Sequence, residues 1–599
     1  MLKQIFILIL LVSLWHPPVF ADGETHATHF VALDGNDSKD CLDPDLPCNS
    51  IKYAIDQAAK SSHVHIATGT YEVAAEDVVH FLGDKVPLMG GYTTADGFAK
   101  RDDINNPVTL LGIPFEFRAQ VEALGFKVIS DNAGLSSQRV QEVEKFTTAY
   151  QHAATVQKTQ VTCQNGAADG YECANIDLVA QLPLPSFSST PSSASDIWGH
   201  VDMNNGNEYA LMGLNNGIAV VDVSDPANPV EVGTISGRSS TWRDVKVYQY
   251  DNAGTFAAYA YVTTEASDGL QIIDLNDLPN SVSLVNNVFD FQSAHNIYIS
   301  NIDYGTNVVE AGLQAFIYIA GSNQSNGAFR IYDLVDPVNP QLVTSPPIGT
   351  GYVHDATSML ITDARTGDCL AGHNPCELFI DFNESTVDIW DMTDKANPFK
   401  ISATPYSNSG YTHSGWYSQD KNYIFIQDEL DERNNGSNTT LRVLDISDLT
   451  APQLAGSFVG QTEAIDHNGF TLGDKYYMSN YRRGLTVLDV SDPTNPGEIG
   501  FFDSFPAPAL NSPNFDGAWG VYPYLPSGNI LVSDINNGLF VFQDNSVLGE
   551  FVESTTPPPP PPVTPTPPPP AESGGGGGST GPLSLLLLFL LYAIRKRSN

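Results

Sequence analysis

The sequence is poor in positive charge: 28 Lys and Arg stand against 69 Asp and Glu in 599 residues, a formal net charge of −41. That field repels a polyanion and attracts cations, so no nucleic-acid partner is expected. Cysteine is scarce as well. The six present are too few for a small disulfide scaffold, and none forms the C-x-x-C of common zinc sites or the C-x-x-C-H of haem attachment. H-E-x-x-H and a Walker loop are also missing, so the signatures of common metalloproteases and NTPases are absent.

What is there begins with the ends. Lys3 precedes the apolar run Ile5 to Leu14, and Val19-Phe20-Ala21 offers a cleavage site, so residues 1–21 read as a secretory signal peptide. The cysteines fall into three close pairs, Cys41 with Cys48, Cys163 with Cys173 and Cys369 with Cys376, which suits local disulfides in an oxidising compartment. Near the other end, eleven of the fourteen residues from Pro557 to Pro570 are Pro, a stiff spacer followed by the flexible Gly574 to Gly578. Residues 553–580 therefore read as a stalk. Residues 581–599 carry the short apolar stretch Leu583 to Ile594 and the basic cap Arg595-Lys596-Arg597, a short anchor segment. This layout resembles the GlyGly-CTERM sorting signal of Gram-negative bacteria, and the resemblance implies processing by a rhomboid-type protease and delivery to the cell surface.

Between the ends, one phrase recurs: GIAVVDVSDPANP from Gly217, GLQIIDLNDL from Gly269, AFRIYDLVDPVNP from Ala328, VDIWDMTDKANP from Val387, LRVLDISDLTAP from Leu441 and GLTVLDVSDPTNP from Gly484. A degraded seventh copy, GLFVFQ, starts at Gly538. The repeated Asp222, Asp274, Asp333, Asp391, Asp445 and Asp489, with Gln543 in the last copy, are spaced at 44 to 59 residues. Each copy alternates like a strand and stops at a turn. Further strand-like runs lie between copies, among them Tyr259-AYVTT and Tyr423-IFIQD. Four short strands per unit, closed into a ring, predict an all-β, seven-bladed β-propeller over residues 196–552.

The repeats resemble LVIVD repeats. The blocks CQNGAADGYEC from Cys163, DIWGH from Asp196, WRDVKVY from Trp242, HDAT from His354, THSGW from Thr412, DELDE from Asp428 and NYRRGL from Asn480 are similar to the choice-of-anchor B family of bacterial surface proteins. That resemblance implies a propeller body and a surface address, and brings no activity with it.

Residues 22–130 read as a small N-terminal α/β segment. Phe30-VALDGNDSKD, Ser50-IKYAIDQAA, His63-VHIATGTY and Val86-PLMGGY resemble the opening of right-handed β-helix proteins, with sequence for one or two coils. Residues 131–195 read as a linker with a helix from Leu135 to about Thr155, on the spacing of Val140, Val143, Phe146 and Tyr150, and a disulfide loop.

The first strand of each blade faces the axial channel. Aligning the repeats puts His200, Asp244, His295, His354, His413, His467 and Trp519 at or near one place, with Asp355, Asp466 and Asp516 beside three of them. Imidazoles with carboxylate neighbours suit a divalent metal. The alternative is that they hydrogen-bond the next blade. Asp428, Glu429, Asp431 and Glu432 are a candidate calcium cluster without D-x-D-x-D-G spacing, the alternative being a solvated acidic loop, and Asp34, Asn36 and Asp37 share that ambiguity. The repeated aspartates read as turn-fixing groups. The expected function is an exported, surface-anchored binding module for a protein or glycan. The runner-up is a metal-dependent hydrolase or lyase with His295, His354, His413 and His467 lining a site at the channel mouth, and the candidate cofactor is a divalent metal, calcium or a transition metal.

Overall fold

A computed structural model describes residues 27–552, apart from 39, 59–61, 82–85, 130, 132–133, 142, 144–157, 345–350 and 506–511. The expected signal peptide, stalk and C-terminal segment lie outside the described residues. So does most of the expected linker helix, of which the first turn is described, with the Val140 N–H donating to the Ser136 carbonyl.

Seven four-stranded antiparallel sheets form the propeller. Blade 1 runs through Ala194–Val201, Glu208–Leu214, Gly217–Asp222 and Val230–Ser236. The inner strands of blades 2 to 7 are Arg243–Asn252, Asn296–Ser300, Asp355–Ile361, Thr412–Tyr417, Asn468–Leu472 and Ala518–Tyr522. The second and third strands of blade 1 are buried along nearly their whole length, so their alternation packs both faces against neighbouring blades. Each fully buried Val, Leu or Ile there stabilises the ring by about 1.5–3 kcal/mol.

The six repeated aspartates each end a third strand and accept the backbone N–H two residues on, at 2.9 Å for Asp222, 2.7 Å for Asp274, 3.2 Å for Asp333, 3.0 Å for Asp391, 2.7 Å for Asp445 and 2.9 Å for Asp489. In blade 7 the same bond, 2.7 Å from the Ser546 N–H, goes to Asp544. The seventh copy therefore keeps its aspartate one residue beyond Gln543.

The ring closes through a strand that the repeats did not reveal. Ile176–Leu182, inside the expected linker, is the outer strand of blade 7 and pairs antiparallel with Gly538–Asp544. The propeller thus begins before residue 196. Lys158–Val161 adds a fifth strand to blade 7, and Tyr171–Ala174 pairs onto the outer strand of blade 6.

All three expected disulfides are formed. Cys41 is bonded to Cys48 in the N-terminal segment, Cys163 to Cys173 in the loop before the propeller, and Cys369 to Cys376 at the entry to the second strand of blade 4. Cys48 and Cys173 also sit where backbone pairs meet. The Cys48 N–H donates to the Phe30 carbonyl at 2.8 Å, and Cys173 lies opposite Phe502 of the blade 6 outer strand. Each bridge therefore ties a loop to a strand edge.

The N-terminal segment is built of two parallel sheets, Thr28–Val31, His63–Ala67 and Leu88–Tyr92 in one, Gly69–Glu72, Val108–Leu111 and Lys127–Val128 in the other. The stack is three strands deep where one or two coils were expected, because loops of unequal length hide the period. It touches the propeller through Arg433, whose guanidinium donates to the carbonyls of Ala58, at 2.6 Å, and Asp56. Among the described residues no helix is long and apolar enough to cross a membrane.

Candidate functional site

All seven inner strands start at the same end of the channel, so successive residues along them build successive layers. The first layer is a closed ring of aromatic side chains. His295 and His354 have ring centroids 4.2 Å apart, His354 and His413 4.2 Å, His413 and His467 4.4 Å, and His467 and Trp519 5.0 Å. Trp242 closes the circle, 5.9 Å from Trp519 and 6.1 Å from His295. All six are only 2–4% exposed.

Two carboxylates address this rim. Glu265 lies 2.8 Å from His295 Nδ1. Glu429 accepts from the Tyr481 hydroxyl at 2.6 Å and lies 3.5 Å from His467 Nε2 and 3.6 Å from His413 Nε2. His467 Nδ1 is 2.6 Å from the Trp519 carbonyl, and since a carbonyl only accepts, that nitrogen carries a proton. Its Nε2 then turns toward Glu429 as a lone pair when the ring is neutral. Two acceptors face each other there unless a second proton or a cation lies between them, an arrangement that metal-binding histidines share.

One residue deeper, the channel narrows to a cavity of about 30 Å³ walled by Asp196, Asp244, Lys246, Asn296, Asp355, Ser414 and Asn468. Lys246 pairs with Asp244 and lies 3.3 Å from Asp196. Burial disfavours its ammonium, but the two aspartates outweigh burial and raise its pKa. Burial holds the Asp196 carboxyl well above the usual carboxylate range despite Lys246. Burial, reinforced by Asp244, pushes Asp355 up to about 7.

Many of these polar groups tie one blade to the next. Ser195 donates to the Arg243 carbonyl at 3.3 Å, Asp244 accepts from the Ile297 N–H at 2.8 Å, and Asn296 donates to the His354 carbonyl at 3.0 Å. His354 Nδ1 bonds the His413 carbonyl at 2.9 Å, Ser414 donates to the His467 carbonyl at 2.6 Å, and His467 reaches Trp519. Six successive junctions, from blade 1 to blade 7, are each bridged by a side chain on an inner strand or one residue before it.

The far end is closed by a hairpin, Ile302–Asp303 with Val308–Val309, inserted between the first two strands of blade 3. Its Tyr304 packs against Trp416 at 5.1 Å, Tyr524 at 5.9 Å and Trp198 at 6.2 Å. Asn307, fully buried, accepts from Trp198 Nε1 at 2.8 Å and donates to the Gly199 carbonyl at 2.9 Å.

The alignment of candidate residues needs two corrections. His200 is not part of the rim. It lies near the closed end of its strand, stacked on Tyr209 at 6.1 Å, and burial pushes its pKa down to about 4. Asp244 belongs to the deeper layer, and Trp242 takes the rim place in blade 2. The inner strands differ in length, so aligning the repeats misplaces both. The three flanking carboxylates also diverge: Asp355 lines the cavity, Asp516 pairs with Arg482 at 2.7 Å, and Asp466 lies with Asp431 and Glu432.

The four candidate calcium ligands are not brought together. Asp428 accepts from the Gly410 N–H at 2.9 Å, the Tyr411 N–H at 2.6 Å and the Tyr406 hydroxyl at 2.9 Å, which fixes the approach to the blade 5 inner strand. Glu429 turns to the histidines, whereas Asp431 and Glu432 turn to Asp466. Asp37 accepts from the Asn49 and Ser50 N–H groups at 2.7 and 3.0 Å, a turn-fixing role. The cysteines supply no thiolate to any site, because Cys41, Cys48, Cys163, Cys173, Cys369 and Cys376 are all oxidised in pairs. Sequence reasoning missed Glu265 and Tyr481. With Glu429, they follow directly on the second strands of blades 2, 6 and 5, a shared position that marks them.

The LVIVD repeat matches at residues 205–236, 434–459 and 473–504, within blades 1, 5 and 6. A search of curated proteins finds no match. Among solved structures, a protein from Lactobacillus plantarum is similar at 13% identity over 60% of this chain and 98% of that one, with a TM-score of 0.37. A functionally unknown protein from Desulfotomaculum acetoxidans is similar at 14% identity over 55% of this chain and 92% of that one, with a TM-score of 0.33. The chain is a seven-bladed β-propeller carrying LVIVD repeats.

Proposed function

We propose that the protein is an exported binding module that meets a protein or glycan partner at the cell surface through the outer surface of its propeller. The size of the channel carries this reading. A cavity of about 30 Å³ holds about one water, whereas sites for organic ligands span roughly 300–1,000 Å³. The rim above it is buried, and much of the wall is engaged in bonds between blades, so the polar centre holds the ring together and recognition is left to the exterior. Three disulfides suit an oxidising compartment, in keeping with export. The resemblance to choice-of-anchor B proteins and to the GlyGly-CTERM layout supports display through the C-terminal segment after processing by a rhomboid-type protease.

Saturable binding of the mature chain to a glycan array or to intact cells, unaffected by His413→Ala, is the expected result. Turnover of a glycan or ester substrate that His413→Ala abolishes would overturn the reading. Mass spectrometry of the mature C-terminus checks the anchor, since an intact Arg595 to Asn599 tail rules out processing.

A metal-dependent hydrolase or lyase is the second reading, favoured by the approach of His413 Nε2 and His467 Nε2 to Glu429. These three buried side chains fit a transition metal of the zinc type, which would supply Lewis acidity.

A further inference from the structure

Beside the rim, three acidic side chains converge on one another. Asp431 and Glu432 come from the short helix Asp431–Asn435 after the second strand of blade 5, and Asp466 from the residue before His467. One oxygen from each lies within 4.8 Å of the others, and each side chain is at most 1% exposed. Arg442 donates to Asp431 Oδ2 at 2.6 Å. The other five oxygens, Asp431 Oδ1 and both from Glu432 and Asp466, are buried and accept from no N–H or hydroxyl, and Glu432 meets both Asp431 and Asp466 carboxyl to carboxyl. Such groups are costly: a buried carboxylate normally collects N–H or O–H donors, as Asp428 does three residues before Asp431.

We propose that Asp431, Glu432 and Asp466 form a site for one hard divalent cation, calcium by preference. Three observations carry this. Charge favours it, since three carboxylates, with Asp428 acting on the same group, face the one Arg442 guanidinium, an excess of negative charge that a divalent cation offsets. The ligand set is all oxygen, which favours calcium or magnesium over zinc or copper. The spacing fits, because oxygens about 2.3–2.6 Å from a common ion lie within about 5 Å of each other, and calcium accepts irregular arrangements completed by water. Burial and mutual repulsion also raise the pKa of Glu432 and Asp466, as expected of carboxylates awaiting a countercharge.

The ion would add a link at a junction already crossed by the Ser414 and Tyr481 hydrogen bonds. It would tie the blade 5 helix to the entry of blade 6, where the next residue is His467 of the rim. Arg433, the neighbour of Glu432, reaches the N-terminal segment. The site is thus a junction of two blades and the accessory segment, and it stands apart from the partner-binding reading above.

The test is calorimetric titration of the full mature chain with calcium chloride after EGTA treatment and desalting. The expected result is one calcium per wild-type chain, with affinity weakened by at least about tenfold in Glu432→Gln and in Asp466→Asn. No calcium binding by the wild type overturns the proposal, and this arm does not depend on any variant folding. Unchanged affinity in both folded variants overturns it too, by placing the ion elsewhere.

Discussion

The two ends of the channel are built by the same seven inner strands and both are ringed by aromatic side chains, yet carboxylates crowd one and neutral groups fill the other. At the mouth, four histidines and two tryptophans form the rim, with Glu265, Glu429 and the Asp431/Glu432/Asp466 group beside it. At the base, Tyr304 and Asn307 of the blade 3 hairpin fill the space between Trp198, Trp416 and Tyr524. The base is held by packing and paired neutral groups, the arrangement of a structural plug. The mouth concentrates charge in a buried setting, which stabilises a fold only when every charge finds a counterpart. That asymmetry places the demand for a countercharge at the mouth.

The comparison can be broken by substitution, starting where the effect is largest. Trp198→Ala removes a side chain that is 1% exposed and bonded to Asn307, and should cost about 3–5 kcal/mol, read as a large fall in Tm by circular dichroism. A small loss would mean that the plug does not hold the base together.

Titration separates the ends further. Asp355 has a folded pKa of about 7 against 3.8 for the free group, so the folded state keeps a proton that the unfolded chain gives up, and stability is lost as pH rises from about 4 to 7. Asp355→Asn should therefore gain on the wild type across that window, by on the order of 4 kcal/mol at pH 8 relative to pH 4. A gap in Tm that does not change with pH would contradict a buried, protonated Asp355. His200 works in the opposite sense. Its pKa falls to about 4 from 6.5, so stability is full above pH 6.5 and is lost as pH drops toward 4. His200→Phe should match the wild type within about 1 kcal/mol at pH 7.5 and exceed it by roughly 2 kcal/mol at pH 4.5, and equal acid sensitivity in urea melts would refute this.

The smallest change is Asn307→Ala, which strands Trp198 Nε1 and the Gly199 carbonyl and should cost about 1–3 kcal/mol. Equal stability of this variant would show that the hairpin rests on Tyr304 alone.

The ring and its turns were legible because each blade repeats one local solution, an alternating strand ended by an aspartate that accepts the N–H two residues on. The disulfides were legible for a similar reason, since Cys41 and Cys48, Cys163 and Cys173, and Cys369 and Cys376 are each near neighbours in the chain. What was not legible depends on contacts far apart in the chain. Ile176–Leu182 lies before the first repeat, and only its pairing with Gly538–Asp544 makes it part of a blade. The Tyr304 hairpin occurs once, so no period announces it. The acidic run failed for a local reason: consecutive residues around one turn point apart, so Asp428 serves a loop, Glu429 the histidines, and Asp431 and Glu432 a third group completed by Asp466. The rim was found in the sequence as four of five histidines, and its carboxylates would have followed from aligning the residue after each second strand.

The most direct measurement is the calcium content of the mature chain after equilibration and gel filtration, in the wild type, in Asp466→Asn at the mouth and in Asn307→Ala at the base. The account predicts one calcium per chain in the wild type and in Asn307→Ala, and its loss in Asp466→Asn. A wild-type chain without calcium, or equal loss from the two variants, would contradict a division between an ion-holding mouth and a structural base.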